Sequence, residues 1–147
     1  MRKRKAPAAA ISLARSQLMR SITKKNTRPE LAVRRMLHGM GLRFRLHRAD
    51  LPGTPDIVLP KHKMAIQVHG CFWHQHPGCV HAKQPRSRPE YWLPKLARNV
   101  ARDIKAKAAL KAGGWRVVVI WECETKSLGK LGRRLARLSN LSRRARE

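Results

Sequence analysis

Acidic residues are scarce in this sequence. Asp and Glu number 8 against 34 Lys and Arg in 147 residues, a net charge of +26. That much charge of one sign destabilises a compact state by self-repulsion unless a polyanion neutralises it. Nucleic acid is therefore the expected partner, ahead of a membrane surface, and a ribosomal protein is the plainest alternative. Long apolar runs are missing too. No stretch of 18 apolar residues is present, so no spanning helix is expected. The start, MRKRKAPAAA, is basic but is not followed by the long apolar stretch of a signal peptide. Cysteine is limited to Cys71, Cys79 and Cys123. An odd count without a secretory signal argues against a disulfide framework and for a reducing cytoplasm and a metal site. Against this background each of Glu30, Asp50, Asp56, Glu90, Asp103, Glu122, Glu124 and Glu147 needs a reason.

The length suits one domain with one core. Residues 1–26 read as a basic arm, 27–141 as the domain, and 142–147 as a mobile basic tail. Thr27 caps a helix with Pro29 in its first turn and Glu30 at the capping-box position, and Gly39 and Gly41 end it. A β segment begins at Phe44, turns at Pro52-Gly53 and continues over residues 56–59. A strand over 64–69 follows, with Ile66 and Val68 on one face, then a loop over 71–88 rich in His, Pro and Gly. A helix over 94–112 closes at Gly113-Gly114. WRVVVIW (115–121) is the clearest strand and reads as central to the sheet. Leu128, Leu131, Leu135 and Leu138 mark a last amphipathic helix. The order gives an α/β fold, a single domain with one mixed sheet flanked by helices.

Two constellations carry chemistry. Cys71, His76 and Cys79 fall within nine residues, and Cys123 follows the 115–121 strand. Zinc takes four such ligands in a tetrahedron, and a polar loop without its own core needs a staple. His74 and His81 compete with His76 for this role. The second constellation starts at Asp56, after Pro55, and continues at Gln67-Val68-His69. This resembles the Pro-Asp … Glu-x-Lys pattern of restriction-type nucleases, with Gln67 and His69 in the Glu and Lys places. A carboxylate there would hold Mg²⁺ against a phosphate. Gln67 brings no charge, which makes Asp56 the main ligand. An Asp beside a Pro-Gly turn is more often a turn or capping residue. Phe72 and Trp73 suit either a core or a wedge entering a base step. Asn99 and Asp103 lie one helical turn apart. Asp103 either orients an imidazole or pairs with Arg102 or Lys107.

Taken together, LPGTPD, HGCFWH, RNVARD and VIWEC, in that order over residues 12–123, resemble the very short patch repair (Vsr) endonucleases. The resemblance implies a restriction-endonuclease-like fold with a structural zinc. It also implies a bacterial enzyme that nicks 5′ to the T of a T:G mismatch left by deamination of 5-methylcytosine. In that picture Asp56 and the backbone carbonyl of Val68 bind Mg²⁺. His74 is the general base, oriented by Asp103, and His69 contacts the scissile phosphate. Cys71, His76, Cys79 and Cys123 bind zinc. Phe72, Trp73 and Trp92 insert beside the mismatch, and Met19 and Ile22 meet the minor groove. Glu30, besides its capping place, falls at an active-site position. A monomer acting in the bacterial cytoplasm at the nucleoid follows, on mismatched duplex DNA and with mismatch-repair proteins as partners. Pro94 and the basic tail depart from the family pattern. Two rival readings remain: a zinc-stapled module that binds DNA without cutting it, and a nickase with another target.

Overall fold

A computed structural model describes residues 25–144, with side chains through residue 140. The readings placed on Met19, Ile22 and the rest of 1–24, and on 145–147, lie outside the described residues.

Helix α1 spans Arg28–Gly39. Its start follows from Thr27, whose hydroxyl accepts the Glu30 N–H at 3.4 Å. The Glu30 side chain reaches back to the Asn26 N–H (3.1 Å), one residue upstream of the usual box partner. At the other end Gly41 takes φ +73. Its N–H bonds His38 C=O, and Leu42 N–H bonds Leu37 C=O. This is the 5→2 and 6→1 pair of a Schellman motif, which requires a left-handed residue at that position.

Among the described residues the sheet has four strands in the order β1-β2-β3-β4: Arg45–Leu46, Ile57–Leu59, Met64–His69 and Arg116–Trp121. β1 and β2, and β2 and β3, are antiparallel; β3 and β4 are parallel, from Met64↔Arg116 to His69↔Trp121. A parallel pair needs a long crossover, supplied by helix α2, Pro89–Ala112. A short helix α3, Glu122–Thr125, and a long α4, Leu128–Arg144, follow.

Side chains alternate across the sheet. Ile57, Leu59, Met64, Ile66, Val68, Val118 and Ile120 form one core with Val33 and Leu37 of α1 and Leu131 and Leu135 of α4. The opposite parity puts Ala65, Gln67 and His69 on the other face, and all six residues of β3 are buried. Gly53 is pressed on α2: a Cβ there would lie 2.5 Å from Ala106 Cβ, and its φ is +71.

Three expectations change. β4 is not central among the described residues but lies at the sheet edge outside β3, where a single parallel crossover from β3 leaves it. Its burial alternates, while β3 takes the interior. Helix α2 begins five residues before Pro94, with Pro89 in its first turn and Pro94 inside it. So near the N-terminus the ring forfeits the one bond that residue 94 would give to Glu90 C=O, and the added turn brings Trp92 against Phe72. Helix α4 continues to Arg144, three residues into the segment read as a tail. No helix among the described residues is long and apolar enough to cross a membrane.

Candidate active site and metal centre

The loop after β3 contributes to both constellations and keeps them apart, with Cys71, His76 and Cys79 in one and His74 in the other. Cys71, at its start, is buried, and Cys123 lies in the first turn of α3, just past the end of β4. Parallel pairing of His69 with Trp121 brings these two chain ends together. His76 Nδ1 lies 3.7 Å from Cys71 Sγ and 3.5 Å from Cys123 Sγ. With Cys79 included, the four donor atoms are all within 4.8 Å of one another. A zinc tetrahedron with ordinary bond lengths has S–N edges of about 3.5 Å, so this donor set fits the ion. Burial pushes the Cys71 thiol up to about 12, and the charge of a bound cation is what favours its thiolate. Trp121 stacks on His76 (centroids 4.2 Å apart, 11° between planes) and fixes the ring. His74 and His81, the competing ligands, are not among the four.

His74 turns the other way. Its Nδ1 is 2.6 Å from Asp103 Oδ2, and its ring stacks on His69 at 3.8 Å and 6°. Asp103 Oδ1 is 4.0 Å from His69 Nε2. One turn earlier on α2, Asn99 donates to Trp73 C=O at 3.1 Å. Neighbouring residues of the loop are thus pinned by the pair of side chains one turn apart on α2. His69 is 7% exposed. Burial first, then the neighbouring His74, push it down to about 4, against the pull of Asp103. His69 is therefore a neutral ring at neutral pH.

Asp56 precedes β2 and accepts the Val68 N–H at 2.8 Å. Its carboxyl is pushed up to about 6, chiefly by burial; the Val68 N–H opposes this, the charge of Glu30 adds to it, and His74 and Arg34 oppose it. A divalent cation would reverse that bias, so the donor chemistry fits one. Gln67 is buried on the α2 face and packs toward Gly53, bringing no charge to the site.

Glu30 is more than a cap. It is 2% exposed, and its Oε2 lies 3.1 Å from Arg34 Nη2 and 3.6 Å from His47 Nε2. Glu30, His47 and Asp56 form a further group of donor atoms within 4.8 Å of one another. Sequence reasoning missed His47 and Arg34. His47 lies in RLHRAD, between recognisable segments, and its only local oddity is a left-handed backbone (φ +45) invisible in sequence.

Phe72, Trp73 and Trp92 are half-buried and pack on one another, at 5.1 Å (Phe72–Trp73), 5.5 Å (Phe72–Trp92) and 5.8 Å (Trp73–Trp92) between centroids. None belongs to the core cluster. Tyr91 joins them against Trp92, and Lys95 Nζ stands over the Trp73, Trp92 and Tyr91 rings; neither was singled out from sequence.

Comparison with known proteins agrees. Residues 11–80 match the family model "DNA mismatch endonuclease Vsr". The chain is 57% identical over 121 residues to the Type II nicking enzyme V.XorIIP of Xanthomonas oryzae pv. oryzae, covering 82% of this chain and 88% of that one. It is 43% identical over 117 residues to the DNA mismatch endonuclease Vsr of Escherichia coli, covering 80% and 74%. Among solved structures, the catalytic domain of the homing endonuclease I-Bth0305I superposes with a TM-score of 0.56 at 22% identity, over 80% of this chain and 98% of that one, a likeness of fold. With the family's motifs in place and identity this high over most of both chains, the protein belongs to the Vsr family of DNA mismatch endonucleases.

Proposed function

We propose that this chain nicks duplex DNA 5′ to the T of a T:G pair arising from 5-methylcytosine deamination, with Mg²⁺ at Asp56 and a structural zinc. Membership in the family makes it a DNA endonuclease. The observation that carries the finer reading is the junction at the end of β3. There the Val68 N–H holds Asp56 while the next residue, His69, stacks on His74.

Asp56, with the Val68 carbonyl, would hold Mg²⁺, which neutralises charge on the scissile phosphate. His74 presents Nδ1 to Asp103, so the neutral ring keeps its proton there and Nε2 is left as acceptor. Nε2 takes the proton of the attacking water as the water oxygen bonds to phosphorus and the P–O bond to the leaving sugar oxygen breaks, that oxygen taking a proton from water. Asp103 then stabilises the imidazolium, a role carboxylates play in catalytic triads. His69, neutral, contacts the phosphate through its own N–H.

Recognition uses the aromatic cluster. A T:G wobble stacks less well than a matched pair, so opening the adjacent step costs less. Phe72, Trp73 and Trp92 enter that step and offset lost stacking at ~1–3 kcal/mol per base. Met19 and Ile22 read the minor groove, and the excess of Lys and Arg binds phosphates without reading sequence. The enzyme acts as a monomer on cytoplasmic DNA, alongside mismatch-repair proteins.

Relaxation of a supercoiled plasmid carrying one T:G pair tests this reading. Mg²⁺-dependent nicking of that plasmid, and not of its matched parent, is expected. Tight binding without a nick supports a binding module, and equal nicking of both plasmids supports a nickase with another target.

A further inference from the structure

Arg34 and His47 surround Glu30 in a way that an ordinary helix ion pair does not. An exposed pair one turn apart contributes a few tenths of a kcal/mol. Here the carboxylate is 2% exposed and the guanidinium side chain 14%. Among the described residues a single nitrogen, Arg34 Nη2, makes three contacts: Asn26 Oδ1 at 2.8 Å, His47 Nε2 at 3.0 Å and Glu30 Oε2 at 3.1 Å. The Arg34 Nε is buried and has no hydrogen-bond partner among the described residues. Leaving a buried donor unpaired costs about 1–3 kcal/mol, a poor arrangement if Arg34 served stability alone.

His47 ties this knot to the metal-binding residue. Its backbone N–H donates to Asp56 C=O at 3.1 Å while its ring meets Arg34 and Glu30. Its φ of +45 lies in the left-handed region, uncommon for a residue with a Cβ. A donor atom of Glu30 thereby stands within 4.8 Å of one from Asp56, although the two residues come from different elements. Like charges held this close need a fixed cation until a mobile one arrives, and Arg34 is that cation.

We propose that Arg34 and His47 are positioning residues that hold Glu30 as a second carboxylate beside Asp56, setting the affinity of the site for a divalent cation. The proposal rests on the metal-dependent reading given above. Outer partners of metal ligands carry about 10–100-fold in metal affinity. Simple electrostatics predicts the opposite sign, because removing a nearby cation should tighten metal binding.

Mn²⁺ titration of the full chain, followed by the loss of the free-ion paramagnetic resonance signal, separates the two. Arg34→Met and His47→Ala should each weaken Mn²⁺ binding by roughly tenfold or more. The Mn²⁺ concentration giving half-maximal nicking should rise in parallel. His47→Gln, whose amide can still meet Arg34, should stay close to the parent. Thermal melts accompany each variant. If Arg34→Met does not fold, Arg34→Lys, which keeps the charge without the fork, replaces it with the same expectation. A variant that binds Mn²⁺ as well as the parent, or better, while Asp56→Asn has lost binding, removes its residue from the proposal. If Asp56→Asn also binds like the parent, the metal-dependent reading falls as well.

Discussion

Asp56→Asn should make the metal-free protein more stable while abolishing its activity. The asparagine Oδ1 can still accept the Val68 N–H, so the fold keeps its hydrogen bond and loses only a poorly solvated charge. The carboxyl stands at about 6 in the folded chain against an ordinary 3.8, with burial the first cause. A group whose folded value is raised binds its proton more tightly folded than unfolded. Between about pH 4 and 6 the unfolded chain therefore ionises first, and the stability contributed by this group falls as pH rises. Above about 6 the whole penalty applies. One unit is worth about 1.4 kcal/mol, so the shift corresponds to at most about 3 kcal/mol, and partial solvent screening lowers it to about 1–3 kcal/mol. For a chain of this size that is roughly 3–10 °C in melting temperature. Melts of parent and Asp56→Asn at pH 5 and pH 8, without added divalent metal, should show a gain at pH 8 that shrinks at pH 5. Addition of Mg²⁺ should raise the parent and not the variant. A variant less stable than the parent at pH 8 would refute the reasoning, because the carboxylate would then be a net stabiliser.

His74→Ala should lower nicking by ~10²–10⁴-fold with zinc unchanged, whereas His76→Ala and Cys123→Ser should lose zinc and thermal stability together; elemental analysis beside a nicking assay checks this, and exchanged results would exchange the roles. Trp73→Ala should lose T:G preference in a binding competition more than it loses stability, because the cluster lies outside the core; a melting loss of ~3–5 kcal/mol with selectivity intact would make it a core residue. Gly53→Ala meets both a left-handed φ and the Ala106 methyl, and should cost about 1–3 kcal/mol in denaturant unfolding; no measurable loss would show that the loop yields freely.

Much of the site was legible because its residues are close in sequence and chemically unusual. Cys71, His76 and Cys79 announce a compact cluster of donor atoms by spacing, and Cys123 joins them through a strand that periodicity locates well. The bounds of β3, Met64–His69, agree with the sequence reading because Met64, Ile66 and Val68 alternate on one face in a short segment that Gly70 ends. Fold-level order was lost where a choice depended on the partner. An apolar run such as 116–121 reads alike at the centre of a sheet or under helices at its edge, and only pairing with β3 decides. Pro94 reads as a helix boundary because a local rule disfavours its interior place, yet packing of Trp92 on Phe72 favours the earlier start. Glu30 is ambiguous for the same reason. Its cap is local and visible, whereas its neighbours His47 and Asp56 arrive through the fold.

The most direct test of the central claim is single-turnover cleavage of a short duplex with one T:G pair, end-labelled on the T strand, by parent and Asp56→Asn. The account predicts one product ending immediately 5′ to the mismatched T, formed only by the parent and only with Mg²⁺, and none from the T:A duplex. Product at the parent rate from Asp56→Asn, or equal cutting of the T:A duplex, would contradict it.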